Sequence, residues 1–142
     1  MDICDKIMDL RITLASCCDG FSVKESSKNL LFSNKTKVLY LLDKKDSMPT
    51  ELIATIGIAK SNLANLLKSM MEDGTIESYR NEGNTRNVFY CITDKGREEL
   101  HSYKTTLGGE FVANCPCDYN TLGEQICDLL TILKGEGHDK NI

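Results

Sequence analysis

Residues 47–74 read SMPTELIATIGIAKSNLANLLKSMMEDG, and their spacing decides the fold. Pro49 stands near the first position of a short helix, where its missing N–H costs nothing. Leu52, Ile53 and Ile56 give that helix an apolar face, and Gly57 ends it with a residue that tolerates a left-handed turn. A second helix is expected at once, from about Lys60 to Met71. Leu63, Leu66, Leu67 and Met70 form its buried stripe, and Gly74 stops it. Two helices joined by so short a glycine turn have the form of a helix-turn-helix.

Working outward, two strand-like runs follow, Thr75 to Tyr79 and Val88 to Ile92. The polar stretch between them, Arg80 to Asn87, holds the turn formers Asn81, Gly83 and Asn84 and is expected to be a long, partly basic loop. The pair reads as a hairpin wing. Thr93 to Gly96 leads into a further helix with Leu100, Tyr103, Leu107 and Phe111 on its apolar side, weakened near Gly108 and Gly109. Asp118 can cap a last helix with Leu122, Ile126, Leu129, Leu130 and Leu133 inside. On the other side, Ser33 or Asn34 can cap a helix running through Leu42. Residues 2–18 read as a first helix with Ile3, Ile7, Leu10 and Leu14 on one stripe.

The chain has 142 residues, enough for one modest core, and a net charge of −4. Residues 33–100 carry ten basic and ten acidic side chains, so bulk charge gives no support to nucleic-acid binding, and the motif must carry that argument. No apolar run approaches the roughly 20 residues that span a bilayer. The N-terminal stretch is punctuated by Asp2, Asp5 and Asp9, unlike a secretory signal. A cytoplasmic protein without membrane partners is therefore expected. No nucleophile–base–acid set, glycine-rich phosphate loop or carboxylate pair stands out, so no enzyme is expected.

The order helix, helix, helix-turn-helix, wing, helix, helix resembles the MarR (multiple antibiotic resistance regulator) family over nearly the whole chain, most strongly from Leu30 to Leu100. Glu51-Leu52 and Gly57-Ile58, Leu66 to Gly74, Asn84-Thr85-Arg86 and Ile92-Thr93-Asp94-Lys95-Gly96 carry the resemblance. Asn84 stands where the family usually has Asp, Ala59 where it has a Ser or Thr cap, and Asn65 where it often has Arg. The resemblance implies a mainly α fold: a winged helix-turn-helix with a small β-hairpin wing and N- and C-terminal dimerisation helices. Residues 1–32 would hold the N-terminal dimer helix and a connection, 33–100 the DNA-binding region, and 101–142 the C-terminal dimer helices. It also implies a homodimer on a pseudo-palindromic duplex operator. Such a protein would be a repressor released by a small-molecule effector or a thiol-reactive signal. A winged helix that binds a partner protein is the other class open.

Lys60, Ser61, Asn62, Asn65 and Lys68 lie away from the leucine stripe of the second helix. A helix fits the major groove, where Asn65 can pair with adenine while Ser61 and Asn62 reach bases or phosphates and the lysines hold the backbone. A solvated polar face is the plain alternative. Arg80 and Arg86 sit at or near the wing tip, and the resemblance implies that the tip arginine enters the minor groove. Lys35, with Lys37, opens a helix and can meet phosphate or simply face water.

Seven cysteines is an odd number, so they cannot all pair within the chain. Cys17-Cys18 and Cys115-Pro116-Cys117 are the candidate thiol sensors, able to form a redox disulfide or hold a soft metal ion. Inert packing as small hydrophobes is the competing reading, and no cofactor is required. Cys91 is expected in the core. His101 and His138 show no ligand spacing.

Overall fold

In a computed structural model of the protein, which describes residues 2–19, 33–114 and 117–135, six helices and one hairpin follow the order that the periodicity indicates. Helix α1 spans Ile3–Asp19, α2 Asn34–Lys44, α3 Pro49–Ile56 and α4 Lys60–Glu72. Strands β1 (Ile76–Asn81) and β2 (Asn84–Ile92) pair antiparallel, and α5 (Asp94–Asn114) and α6 (Tyr119–Leu133) complete the described chain. Local chemistry sets the ends. The hydroxyl of Ser33 accepts from the Thr36 N–H to cap α2, and Asp118 accepts from the N–H groups of Asn120 and Thr121 to cap α6. Helix α3 opens at Pro49, with the Glu51 carboxylate reaching back to accept from the Met48 N–H at 3.1 Å. Lys45 first, then that N–H, hold the Glu51 carboxyl below the usual carboxylate range. Gly57 closes α3 at φ 77°, a left-handed conformation that side chains disfavour.

One core joins all of these elements between residues 38 and 100. Val38, Leu39 and Leu42 of α2 meet Leu52 of α3, Leu63, Leu67 and Met70 of α4, Ile76 and Ile92 of the hairpin, and Leu100 of α5. Leu66, expected in that stripe, is partly buried and packs against it. The ends of α4, β1, β2 and α5 converge on one knot. Thr93 donates through its hydroxyl to the Gly74 carbonyl at 2.6 Å and through its N–H to the Thr75 carbonyl at 3.0 Å. The same hydroxyl accepts from the Gly96 N–H, and the Thr75 hydroxyl donates to the Met70 carbonyl. The Lys95 ammonium donates to the Asp73 carbonyl at 2.6 Å. Helix α4 is thereby tied to the start of α5.

Three expectations differ from the structure. Arg80 to Asn87 is mostly strand, because β1 runs to Asn81 and β2 starts at Asn84, leaving only Glu82-Gly83 as the turn. Helix α5, expected to weaken near Gly108 and Gly109, continues through both to Asn114. Glycine weakens a helix but keeps its N–H and can hold helical angles. The boundary drawn at residue 100 falls inside this helix. Finally, the α6 stripe is not inside the single chain: Ile126, Leu129, Leu130 and Leu133 are all exposed, the last at 71%. Ile3, Ile7, Leu10 and Ile12 of α1 are exposed too, while α1 itself packs against α5.

Candidate nucleic-acid interface

Leu63, Leu67 and Met70 anchor α4 to the core, which turns Lys60, Ser61, Asn62, Asn65 and Lys68 outward, and all five are exposed. Residues 61, 65 and 68 follow one another at helical spacing, so Ser61, Asn65 and Lys68 form one stripe opposite the buried one. Ala59 sits at the N-cap with no side-chain acceptor, leaving the first-turn N–H groups without a side-chain cap. A helix end in that state suits an incoming anionic oxygen.

The wing stands beside this helix on the same core. Arg80 pairs with Val88, but the next residue, Asn81, pairs with Asn84. Residues 85–87 are therefore surplus on β2 and bulge from the ladder, with the exposed Arg86 at their centre. The Asn84 Oδ1 accepts from the Arg86 N–H at 3.2 Å, and the Arg80 guanidinium donates to the Thr85 carbonyl. Lower on the hairpin, Tyr79 stacks on Phe89 with ring centroids 5.6 Å apart and donates to Asp46 at 2.7 Å. Ser47 exchanges both backbone hydrogen bonds with Tyr90, adding a one-residue third strand.

Lys35 is placed differently from the other cations. Its ammonium lies 3.2 Å from Glu99 and 3.7 Å from Asp73, bridging α2, α5 and the end of α4. Burial alone would lower the Lys35 pKa, but the hydrogen bond and charge of Glu99, with Tyr103 and Asp73, outweigh it and raise the value. Partners 38 and 64 residues away in sequence are invisible to a motif reading.

Sequence reasoning also missed a cavity of about 460 Å³ between α2, the end of α3 and α5. Tyr40, Leu41, Ile56, Leu100, Tyr103 and Leu107 line it, and Lys37 and Lys104 stand among the lining residues. The Lys44 and Lys104 ammonium groups lie 4.6 and 5.7 Å from the Tyr40 ring centroid, where the negative face of the ring attracts them. The signal was present as aromatic and lysine residues at helical spacing on two helices, but nothing local says that those helices face one another.

The cysteines divide. Cys17 and Cys18 lie on α1 with side chains outside the description, and Cys115 lies outside the described residues. Cys117, Cys4 and Cys127 are exposed free thiols. Cys91 is only half-buried, opposite Glu77 on the outer face of the hairpin, not in the core. Burial first, then the charges of Asp46 and Glu77, push its thiol up, which disfavours the reactive thiolate. Among the described residues no group of three or more His, Cys, Asp and Glu side chains is arranged to hold a metal ion. No described helix is long and apolar enough to cross a membrane.

No protein-family model and no curated protein matches the chain. Solved structures do. The transcriptional regulator BldR from Sulfolobus solfataricus is 17% identical, with a TM-score of 0.63, over 92% of this chain and 99% of its own. CouR from Rhodococcus jostii RHA1, solved with p-coumaroyl-CoA, is 19% identical, with a TM-score of 0.68, over 94% of each chain. ZitR from Lactococcus lactis, a zinc-responsive MarR family member, is 20% identical, with a TM-score of 0.50, over 73% of this chain and 74% of its own. The fold is the mainly helical winged helix-turn-helix of these regulators.

Proposed function

We propose that the protein is a homodimeric, sequence-specific DNA-binding regulator that represses transcription and is released by a small-molecule effector. The observation that carries the reading is the exposed polar face of α4, free of intramolecular ion pairs among the described contacts, on the same core as the bulged Arg86. Asn65 would read a base edge in the major groove, with Ser61 and Asn62 beside it. Lys60 and Lys68 would hold phosphates, and Arg86 would enter the minor groove. Lys35 serves mainly to hold the end of α4 in place. The exposed apolar stripes of α1 and α6 suit a two-fold partner, which would present two recognition helices to two half-sites.

Selection from a pool of random duplexes with the purified protein is the direct test. A two-fold symmetric sequence bound with steep salt dependence is expected. Asn65→Ala should then lose roughly 1–3 kcal/mol of discrimination at one position in each half-site. Arg86→Ala should weaken binding to most sequences and lower the salt slope by about one per subunit. Recovery of no duplex at low salt would sink the reading and favour a protein-binding winged helix.

The effector would occupy the cavity beside Tyr40 and Tyr103, whose apolar lining and lysines suit an aromatic or aliphatic acid. CouR, which shares the fold, binds p-coumaroyl-CoA. A panel of such acids and their coenzyme A thioesters, p-coumaroyl-CoA among them, should raise the melting temperature and weaken operator binding. Leu107→Trp, which fills the cavity, should abolish both responses. If oxidant, Cu(I) or Zn²⁺ releases DNA while every acid fails, the signal belongs instead to thiols such as Cys17, Cys18, Cys115 and Cys117.

A further inference from the structure

We propose that Arg80 is a positioning residue: its guanidinium clamps the bulged main chain of the wing so that Arg86 is presented in one orientation. This rests on the DNA-binding reading above. One step along β1, from Arg80 to Asn81, is matched by four along β2, from Val88 back to Asn84. The surplus residues 85–87 have no ladder partner, so their backbone groups must find other donors and acceptors or remain loose. Two of those groups are engaged by neighbours. Arg80 donates from Nη1 to the Thr85 carbonyl, and Asn84 Oδ1 accepts from the Arg86 N–H. Both contacts fall on one peptide unit, the amide that joins Thr85 to Arg86. They leave its guanidinium unconstrained and its backbone held.

Arg80 would look on charge alone like a second contact to nucleic acid. Its place in the ladder points elsewhere. It pairs with Val88 below the bulge and reaches along the hairpin toward the tip, where its Nη1 donates to a carbonyl of its own wing. Asn84 does the complementary work from the other end of the bulge, where a short amide oxygen favours a local turn. Arg86 thus depends on two residues that need not touch a duplex.

The test is a double-mutant cycle on the selected operator, with amide exchange measured on the free protein. Arg80→Ala should speed exchange of the Arg86 amide with no DNA present. It should also weaken operator binding roughly tenfold, the scale of ordering one further residue on binding, while leaving the salt slope unchanged. In the Arg86→Ala background, Arg80→Ala should cost almost nothing more. Arg80→Lys, which retains a donor, should restore most of the exchange protection. An unchanged Arg86 amide in Arg80→Ala overturns the clamp. A salt slope lowered by about one per subunit, with the same loss in both backgrounds, overturns it too and makes Arg80 a direct phosphate contact. If the wild type selects no duplex, the DNA-binding reading fails, and the exchange result alone decides whether Arg80 holds the bulge.

Discussion

Gly96→Ala is expected to destabilise the protein by about 3 kcal/mol, as overpacking against fixed neighbours does. An added Cβ would lie 2.3 Å from the Thr75 carbonyl oxygen and 2.7 Å from Cγ1 of Ile92. Ile92 can shift; a backbone carbonyl that already accepts from the Thr93 N–H cannot do so cheaply. Relief requires moving the start of α5 away from the end of α4, which breaks the knot built by Thr93, Thr75 and Lys95. The melting temperature should fall by roughly 10 °C. Gly108→Ala is the matched control. Nothing lies within 4 Å of its added Cβ, and the site is helical, so this change should leave stability equal or raise it by up to about 1 kcal/mol. Thermal unfolding of the two variants side by side decides the matter. Equal melting temperatures would show that the knot is not the tight joint described.

The other large effect concerns the uncovered helices. Under the proposed function, replacing Leu129 and Leu133 together with Glu should turn the dimer into a monomer and weaken operator binding by about 10²–10⁴-fold, the scale lost when two linked sites become independent. Ile126, Leu129, Leu130 and Leu133 recur at helical spacing on α6, and exposure of so many large apolar side chains is costly unless a partner covers them. Each such side chain contributes about 1.5–3 kcal/mol when fully buried. Neither substitution touches the core between residues 38 and 100, so the monomer should keep its helical content. Sedimentation at micromolar concentration and operator titration provide the two readouts. A wild-type protein that sediments as a monomer would remove this assembly altogether.

What could be read beforehand follows the range of the interactions involved. Helices α2 to α4 were legible because their signals are local: the Ser33 cap, Pro49 at a helix start, Gly57 in a left-handed turn, leucines at helical spacing. The exposed face from Lys60 to Lys68 was legible as the complement of the buried stripe. The wing tip was not. In an isolated two-stranded ribbon both faces meet water, so Asn81, Asn84 and Asn87 carry no alternation to mark them as strand. Glycine at 108 and 109 suggested a weakened end, yet α5 continues through both. The ion pairs of Lys35 and the cavity beside Tyr40 depend on residues far apart in sequence, and only the packed fold brings them together.

The paired backbone of Ser47 and Tyr90 and the hydrogen bond from Tyr79 to Asp46 fasten the hairpin to the segment that enters α3. The span between α4 and Arg86 is therefore settled when the chain folds, not when a partner arrives. A body built this way acts as a ruler. Under the proposed function it would engage a duplex only where a major groove and the neighbouring minor groove lie at the matching separation, with little further ordering to be done on contact. Groove width varies with the bases beneath it, and stiff, narrow A-tracts differ from flexible pyrimidine–purine steps. Under the proposed function, base pairs that no side chain touches would then decide which sites are occupied, through the cost of bending the duplex to a fixed gauge.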